Sequence, residues 1–132
     1  MIQNIKEMVV VFVFSPDGKE VMLIRKDHPG YLAGTLNGVG GKVEPGERAL
    51  LAAIRETKEE TNLSVESLKL IYQVGREAYF VAVKWSGNIY AAEELPEHDA
   101  YTWLTLEEIN KLDNFSDKYY NVVSLVLNKL GK

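Results

Sequence analysis

Residues 41–63 read GKVEPGERALLAAIRETKEETNL, and they carry the clearest structural pattern in the chain. The second half of this stretch has the residue pattern of a helix, and Pro45-Gly46 stands immediately before its predicted start. We predict a helix over Glu47–Thr61, in which four residues recur at helical spacing: Leu50, Ile54, Thr57 and Thr61. Leu50 and Ile54 form an apolar stripe that is expected to pack against a sheet.

Three carboxylates lie together on another face of this helix. Glu56, Glu59 and Glu60 stand at positions i, i+3 and i+4, where like charges repel by about 0.2–0.5 kcal/mol per pair. Two interpretations are open: a solvated acidic face, or a site where carboxylate oxygens converge on Mg²⁺ or Mn²⁺. The preceding Gly40-Gly41-Lys42 favours the metal site, because paired glycines let the backbone approach a metal or phosphate closely.

Length and composition limit the classes of function. A chain of 132 residues fits a single domain, residues 1–132. A net charge of −4 gives no sign of a surface for DNA or RNA, although a metal cation can bring a polyphosphate to an acidic protein. Without cysteine, disulfides, thiolate catalysis and zinc–sulfur sites are excluded. The apolar run Met8–Phe14 is too short to cross a bilayer, so we predict a buried strand and expect a cytoplasmic protein.

Strand patterns precede and follow the central helix. Strands are predicted at Met8–Phe14, Val21–Lys26, Thr35–Val39, Leu68–Val74, Glu77–Trp85 and Tyr101–Leu104. Turns at Ser15–Lys19 and Gly75-Arg76 join two pairs of them as hairpins. Further helices are predicted at Thr105–Leu112 and Asp117–Leu130. This order predicts an α/β protein in which a mixed β-sheet is packed between helices.

Taken together, residues 41–63 resemble the Nudix box. That pattern is Gly, five residues, Glu, seven residues, then Arg-Glu-apolar-any-Glu-Glu-any-Gly-apolar, and every charged position of it matches here. Thr57 departs from the usual aliphatic residue, but its methyl group can still pack. Asn62 departs from a glycine at the helix end, and asparagine is the next most tolerant residue for a left-handed conformation.

The resemblance implies a Nudix α/β/α sandwich with a metal site. Glu56, Glu59, Glu60 and the main-chain carbonyl of Gly40 would bind Mg²⁺, with Mn²⁺ as a substitute. Arg55 would hold the catalytic set together by pairing with glutamates such as Glu47, rather than by touching substrate. Gly41 and Glu47 would be structural members of the box.

The resemblance also implies a reaction, the attack of water on a phosphorus of a pyrophosphate link. The general base would be Glu59 or Glu60, or a glutamate on a later loop. In that loop Glu97 is the first choice and Glu94 and Asp99 compete with it, whereas His98 is interpreted as an ordinary exposed histidine. The products from a nucleoside triphosphate would be a nucleoside monophosphate and pyrophosphate.

The MutT-like branch, which acts on oxidised purine nucleoside triphosphates, is the branch that the chain resembles. Asn37 and Asp117 would read the purine edge, and Phe115 would stack on the base. Arg25 and Lys42 would bind phosphate. We expect a small nucleotide substrate, no nucleic acid polymer and no membrane, and a monomer or homodimer.

Three alternatives stay open at this point. Tyr79 falls where dinucleoside polyphosphate hydrolases carry a tyrosine, although a strand residue on the side of Glu77, Val81 and Val83 is favoured. ADP-ribose hydrolysis is disfavoured because the proline that marks it is missing. A nucleotide-sensing module without catalysis is the alternative of another class, and it is disfavoured because all box glutamates are present. The aromatic residues Tyr72, Phe80 and Trp85, like Tyr79, would serve the core or a dimer face.

Overall fold

The computed structural model describes residues 7–25, 36–89, 100–112 and 124. In chain order its elements are β1 (Met8–Phe14), β2 (Glu20–Arg25), β3 (Leu36–Asn37), β4 (Val39–Lys42), α1 (Ala49–Thr61), β5 (Ser64–Val74), β6 (Glu77–Ser86), β7 (Ala100–Thr105) and α2 (Leu106–Asn110). The helix predicted at Asp117–Leu130 lies outside the described residues apart from Ser124, which is helical.

The seven strands form one mixed sheet with β1 near its centre. The order is β3-β2-β1-β6-β5, with β4 also paired to β1 and β7 to β2. β1 runs parallel to β6 and antiparallel to β2 and β4. The predicted turns at Ser15–Lys19 and Gly75-Arg76 are confirmed, since β1 leads directly into β2 and β5 into β6.

β1 is buried on both of its faces, which explains its continuous apolar sequence. Its alternate residues Val10 and Phe12 pack in one cluster with Ile109 of α2. Val9 and Val11 point to the other face, into a cluster that contains Ala52 and Ala53 of α1. The sheet therefore lies between helices, and the predicted α/β architecture is confirmed.

The aromatic residues of β5 and β6 divide between core and surface. Tyr79 and Phe80 are core residues, and Tyr79 shares its side of the sheet with Val81 and Val83 as predicted. Trp85 stacks on Trp103 with ring centroids 6.2 Å apart. Tyr72 is exposed. Among the described residues, no helix is both long and apolar enough to span a membrane.

The packing face of α1 differs from the prediction. Leu50 and Ile54 are 45% and 36% exposed, and Leu50 borders an apolar groove of about 480 Å³ beside β5. The buried face consists instead of small residues: Ala52, Ala53, Thr57 and Thr61. Small side chains let the helix approach the sheet closely, and the threonine hydroxyls donate to the carbonyls four residues earlier, at 2.8 and 2.6 Å.

α1 also begins later than predicted. Glu47 belongs to a turn, in which its amide donates to the carbonyl of Glu44 at 2.9 Å. Arg48 has extended backbone angles and acts as the N-cap, so that the helix starts at Ala49 rather than at Glu47. Glu47 thus lies outside the helix, where its side chain can turn back towards Arg55.

The end of α1 confirms the predicted conformation of Asn62. Its φ and ψ angles are 70° and 5°, in the left-handed region that favours glycine and tolerates asparagine. Its amide N–H donates to the carbonyl of Lys58, which closes the last turn. Asparagine therefore fits a position whose backbone angles favour glycine.

Replacing Asn62 with alanine should destabilise the protein by about 1 kcal/mol, because alanine carries the full steric cost of the left-handed conformation. Glycine at this position should leave the free energy of unfolding within about 0.5 kcal/mol of the native value. Urea unfolding of the two variants measures the difference. Equal losses in both would show that the side chain of Asn62, rather than its backbone angle, supports the helix end.

Candidate active site

Two carboxylates of α1 lie against the glycine backbone of β4. Glu60 Oε1 accepts a hydrogen bond of 3.0 Å from the amide of Gly40. The carboxylate of Glu56 occupies the space beside Gly41, where any Cβ would overlap it. Both glutamates adjoin the buried row of small residues, so the close approach of α1 to the sheet brings them to β4.

The guanidinium group of Arg55 lies at the centre of the charged residues around this contact and pairs with several of them. Its Nε and Nη2 donate to the two oxygens of Glu47, at 2.8 and 2.9 Å, in a planar fork. Its Nη1 lies 3.2 Å from Glu56 Oε2 and 3.1 Å from Glu59 Oε1. Nη2 also donates to the carbonyl of Lys42 at 3.1 Å. This bond ties α1 to the end of β4.

Burial and neighbouring charges shift the pKa values of Glu47 and Glu56 in opposite directions. The side chain of Glu56 is 15% exposed, whereas that of Glu59 is 57% exposed. Burial, followed by repulsion from Glu60, raises the pKa of Glu56 above the ordinary carboxyl range. The hydrogen bonds from Arg55 lower the pKa of Glu47 to about 2. Glu47 therefore stays ionised and anchors Arg55, whereas Glu56 loses its proton less readily than an ordinary carboxyl group does.

The donor set fits a hard divalent cation. Arg55 contacts four carboxylates, those of Glu44, Glu47, Glu56 and Glu59, so the cluster carries excess negative charge. Carboxylate oxygens are the ligands that Mg²⁺ and Mn²⁺ prefer. In the described part of the chain, however, no three acidic or histidine side chains converge at the spacing of one ion. The reason is local, since Arg55 Nη1 lies between Glu56 and Glu59 while Glu60 bonds Gly40.

Comparison with known proteins assigns this arrangement to a family. The profile of the NUDIX domain matches residues 5–125, which is most of the chain. The chain belongs to the Nudix family. A MutT structure, from work on the Aliivibrio salmonicida and Vibrio cholerae proteins, superposes with a TM-score of 0.76 at 20% identity. It covers 94% of this chain and 98% of that one, which confirms the Nudix fold.

The chain is also similar in sequence to an asymmetrical bis(5'-nucleosyl)-tetraphosphatase and to an 8-oxo-dGTP diphosphatase. The mouse asymmetrical bis(5'-nucleosyl)-tetraphosphatase is 38% identical over 88 residues, which cover 58% of this chain and 60% of the relative. The Escherichia coli 8-oxo-dGTP diphosphatase is 23% identical over 116 residues, covering 82% of this chain and 87% of the relative. The chain thus aligns with less than two thirds of the length of the first relative.

The structure accounts for both departures from the Nudix box. Thr57 is fully buried, and its hydroxyl is satisfied by the carbonyl of Ala53, so a polar residue fits the aliphatic position. Asn62 adds a contact that glycine lacks, because its side-chain amide donates to the carbonyl of Asn88 at 3.0 Å. The substitutions are therefore compatible with an intact box.

The predicted substrate-binding residues are only partly described. Asn37 is buried in β3, and Lys42 is exposed at the end of β4. Arg25 ends β2, but its side chain lies outside the described residues. The residues considered for the general base and those predicted for the purine site also lie outside the described residues: Glu94, Glu97, His98, Asp99, Phe115 and Asp117.

Tyr101 contacts the helix that carries the three glutamates, and nothing in the sequence predicts this contact. It lies on β7, and its hydroxyl donates to the main-chain carbonyl of Glu60 in the last turn of α1. The two residues are far apart in the chain, and a tyrosine in a predicted strand carries no pattern that indicates such a contact. Only the placement of β7 beside α1 reveals it.

Proposed function

We propose that the protein is a Mg²⁺-dependent pyrophosphohydrolase that cleaves a nucleoside triphosphate to a nucleoside monophosphate and pyrophosphate. Mn²⁺ is the expected substitute for Mg²⁺. An oxidised purine nucleoside triphosphate is the first substrate candidate, and the protein would act in the cytoplasm. No nucleic acid polymer or membrane is required.

The observation that carries this proposal is the contact of Glu56 and Glu60 with the backbone of Gly40 and Gly41. It places two carboxylates of α1 directly against the main chain of β4, because neither glycine has a side chain that would keep them away. The full set of box carboxylates in a Nudix fold supports hydrolysis over sensing alone. The excess negative charge supports a cation between protein and substrate, because phosphates would otherwise be repelled.

Each residue of the box has a distinct task in this proposal. Glu56, Glu59, Glu60 and the carbonyl of Gly40 would hold the cation. When bound, the cation offsets charge on the phosphate oxygens and makes a nearby water more acidic. Glu59, the most exposed of the three glutamates, is well placed to accept a proton from water. Glu60 and Glu97 remain candidates for the same role, and Arg55 would position Glu56 and Glu59.

The purine nucleobase of the proposed substrate is inferred from the relatives. The 8-oxo-dGTP diphosphatase aligns with 82% of this chain, which supports a purine triphosphate. Asn37, Phe115 and Asp117 would then recognise the purine, while Arg25 and Lys42 would bind the phosphates. Recognition through an amide and a carboxylate would depend on complementary donors and acceptors on the base.

Dinucleoside polyphosphate hydrolysis is the second candidate. The mouse tetraphosphatase supports it, at 38% identity over the aligned 88 residues. Tyr79 gives it no support, because that side chain is fully buried and its hydroxyl donates to Glu77 at 3.1 Å. In both candidate reactions the residues of the Nudix box would support hydrolysis of a pyrophosphate link. The two substrates differ in whether a second nucleoside is attached to the far end of the phosphate chain.

A substrate panel tests the proposal. Purified protein with Mg²⁺ would be incubated with ordinary and oxidised purine triphosphates, diadenosine polyphosphates and ADP-ribose, and the products would be separated by ion exchange. We expect one triphosphate to give monophosphate and pyrophosphate. The double variant Glu59→Gln, Glu60→Gln should lose this activity by at least about 100-fold, because metal charge stabilisation contributes several kcal/mol.

The products distinguish the alternatives. Preferred cleavage of a diadenosine tetraphosphate to mono- and triphosphate would support the second candidate instead. Binding of a nucleotide without turnover by folded, Mg²⁺-loaded protein would support a sensing module and contradict the enzyme. Equal rates in the native protein and the double variant would exclude the box as the active site.

A further inference from the structure

The last turn of α1 is fixed from outside the helix by two side-chain hydrogen bonds. The hydroxyl of Tyr101, on β7, donates to the main-chain carbonyl of Glu60. The side-chain amide of Asn62 donates to the carbonyl of Asn88, just after β6, at 3.0 Å. Neither contact involves a carboxylate of the box, so both act on the backbone that carries the glutamates.

These contacts are informative because the end of a helix is its least constrained part. The last four carbonyls of a helix have no partner within it, and water usually satisfies them where they are exposed. Here a tyrosine from another strand binds one of them. Glu60 is consequently held twice, by Tyr101 at its carbonyl and by the amide of Gly40 at its carboxylate.

Contacts with β7 and with the segment after β6 limit where the glutamates of the last turn can be. A cation that needs several carboxylates binds more weakly when it must first order them, because the lost freedom opposes binding. Groups that orient metal ligands without touching the metal commonly change affinity by about 10–100-fold when they are removed. Tyr101 and Asn62 are arranged to supply this kind of support.

We propose that Tyr101 and Asn62 are positioning residues that set the divalent-cation affinity of the glutamates in the last turn of α1. The inference rests on the proposed function, since it takes these glutamates as cation ligands. It adds two residues outside the charged positions of the box, one of which belongs to β7. Tyr101 is the stronger of the two, because it binds the residue that carries a ligand.

Two single substitutions remove these hydrogen bonds and retain the surrounding packing. Tyr101→Phe keeps the ring, which packs against the core cluster on the α1 side of the sheet. Asn62→Gly keeps the left-handed backbone and removes only the side chain. Tyr72→Phe is the matched control, because Tyr72 is an exposed tyrosine on β5.

The primary measurement is Mn²⁺ binding to the metal-free proteins, followed by electron paramagnetic resonance of the free ion. We expect Tyr101→Phe to raise the Mn²⁺ dissociation constant by about 10-fold, Asn62→Gly to raise it less, and Tyr72→Phe to leave it unchanged. In activity assays the Mg²⁺ concentration for half-maximal rate should rise by the same factors. Saturating Mg²⁺ should restore kcat, with KM for the nucleotide unchanged, whereas a merely structural defect would not respond to Mg²⁺.

Native Mn²⁺ affinity in a folded Tyr101→Phe variant would overturn the inference. If that variant does not fold, Asn62→Gly decides the question by the same criterion. A native protein that binds Mn²⁺ but hydrolyses no nucleotide would count against the proposed function, while the comparison of variants would still decide the inference. A native protein that binds no Mn²⁺ would overturn both.

Discussion

Glu56→Gln should lower kcat/KM by at least about 100-fold while it makes the metal-free protein more stable. The loss follows from removing a proposed ligand of the cation, whose charge contributes several kcal/mol to stabilisation of the transition state. The gain follows because Glu56 is half-buried beside Glu59 and Glu60, and removing two like-charge pairs relieves about 0.4–1 kcal/mol. Glutamine can still accept the hydrogen bond from Arg55 Nη1.

The gain in stability should depend on pH in a defined direction. Burial and Glu60 raise the pKa of Glu56, so the folded protein holds this proton more tightly than the unfolded chain does. The native protein therefore loses stability as pH rises through the raised pKa, and the uncharged variant does not. Urea unfolding without metal should show the largest difference near pH 7 and a smaller one near pH 4.

Glu66→Gln provides the matched control for this prediction. Glu66 is exposed on β5, and the same change there should leave activity unchanged and stability within about 0.5 kcal/mol. A destabilised Glu56→Gln variant at neutral pH would mean that the charge of Glu56 serves the fold. Full activity in it would remove Glu56 from the proposed set of ligands.

Arg55→Lys should lower the midpoint of thermal unfolding and lower kcat/KM by about 10–100-fold. Lysine keeps the charge but cannot form the fork to Glu47, nor reach Glu47, Glu56, Glu59 and the carbonyl of Lys42 together. Without the guanidinium group, the repulsion between Glu56 and Glu59 is less well offset. The hydrogen bonds from α1 to Glu47 and to the carbonyl of Lys42 are also lost. Thermal unfolding and steady-state kinetics measure the two effects.

Acid unfolding gives a separate test of the same fork. Arg55 lowers the pKa of Glu47 to about 2, so this pair stabilises the native protein above the ordinary carboxyl range and its contribution is lost as pH falls towards about 2. The stability difference between native and Arg55→Lys proteins should accordingly shrink between about pH 5 and pH 2. Arg48→Lys, at the exposed N-cap of the same helix, should match the native protein throughout. A constant difference would show that Glu47 is not the main partner.

The central helix, most of the strands and the charged positions of the box follow from local sequence patterns, but the single strand predicted at Thr35–Val39 is wrong, because the structure has two strands there, β3 and β4. Alternation in β1 could not be seen because both of its faces are buried, but the run of apolar residues was sufficient to indicate a strand. Asn62 was predicted in the left-handed region because backbone sterics depend on residue type at that one position. Local rules predicted the end of α1 correctly but not its start, where a turn from Glu44 to Glu47 delays the helix to Ala49.

The packing face of α1 and the contacts that hold its glutamates depend on how distant parts of the chain meet in the folded protein. Hydrophobicity indicated Leu50 and Ile54, yet the sheet accepts Ala52 and Ala53, because the distance between helix and sheet is set by both surfaces together. That short distance then puts Glu60 on the amide of Gly40. The contact of Tyr101 with Glu60 depends on how β7 pairs with β2. Residues so far apart in the chain meet through packing, which a one-dimensional pattern does not encode.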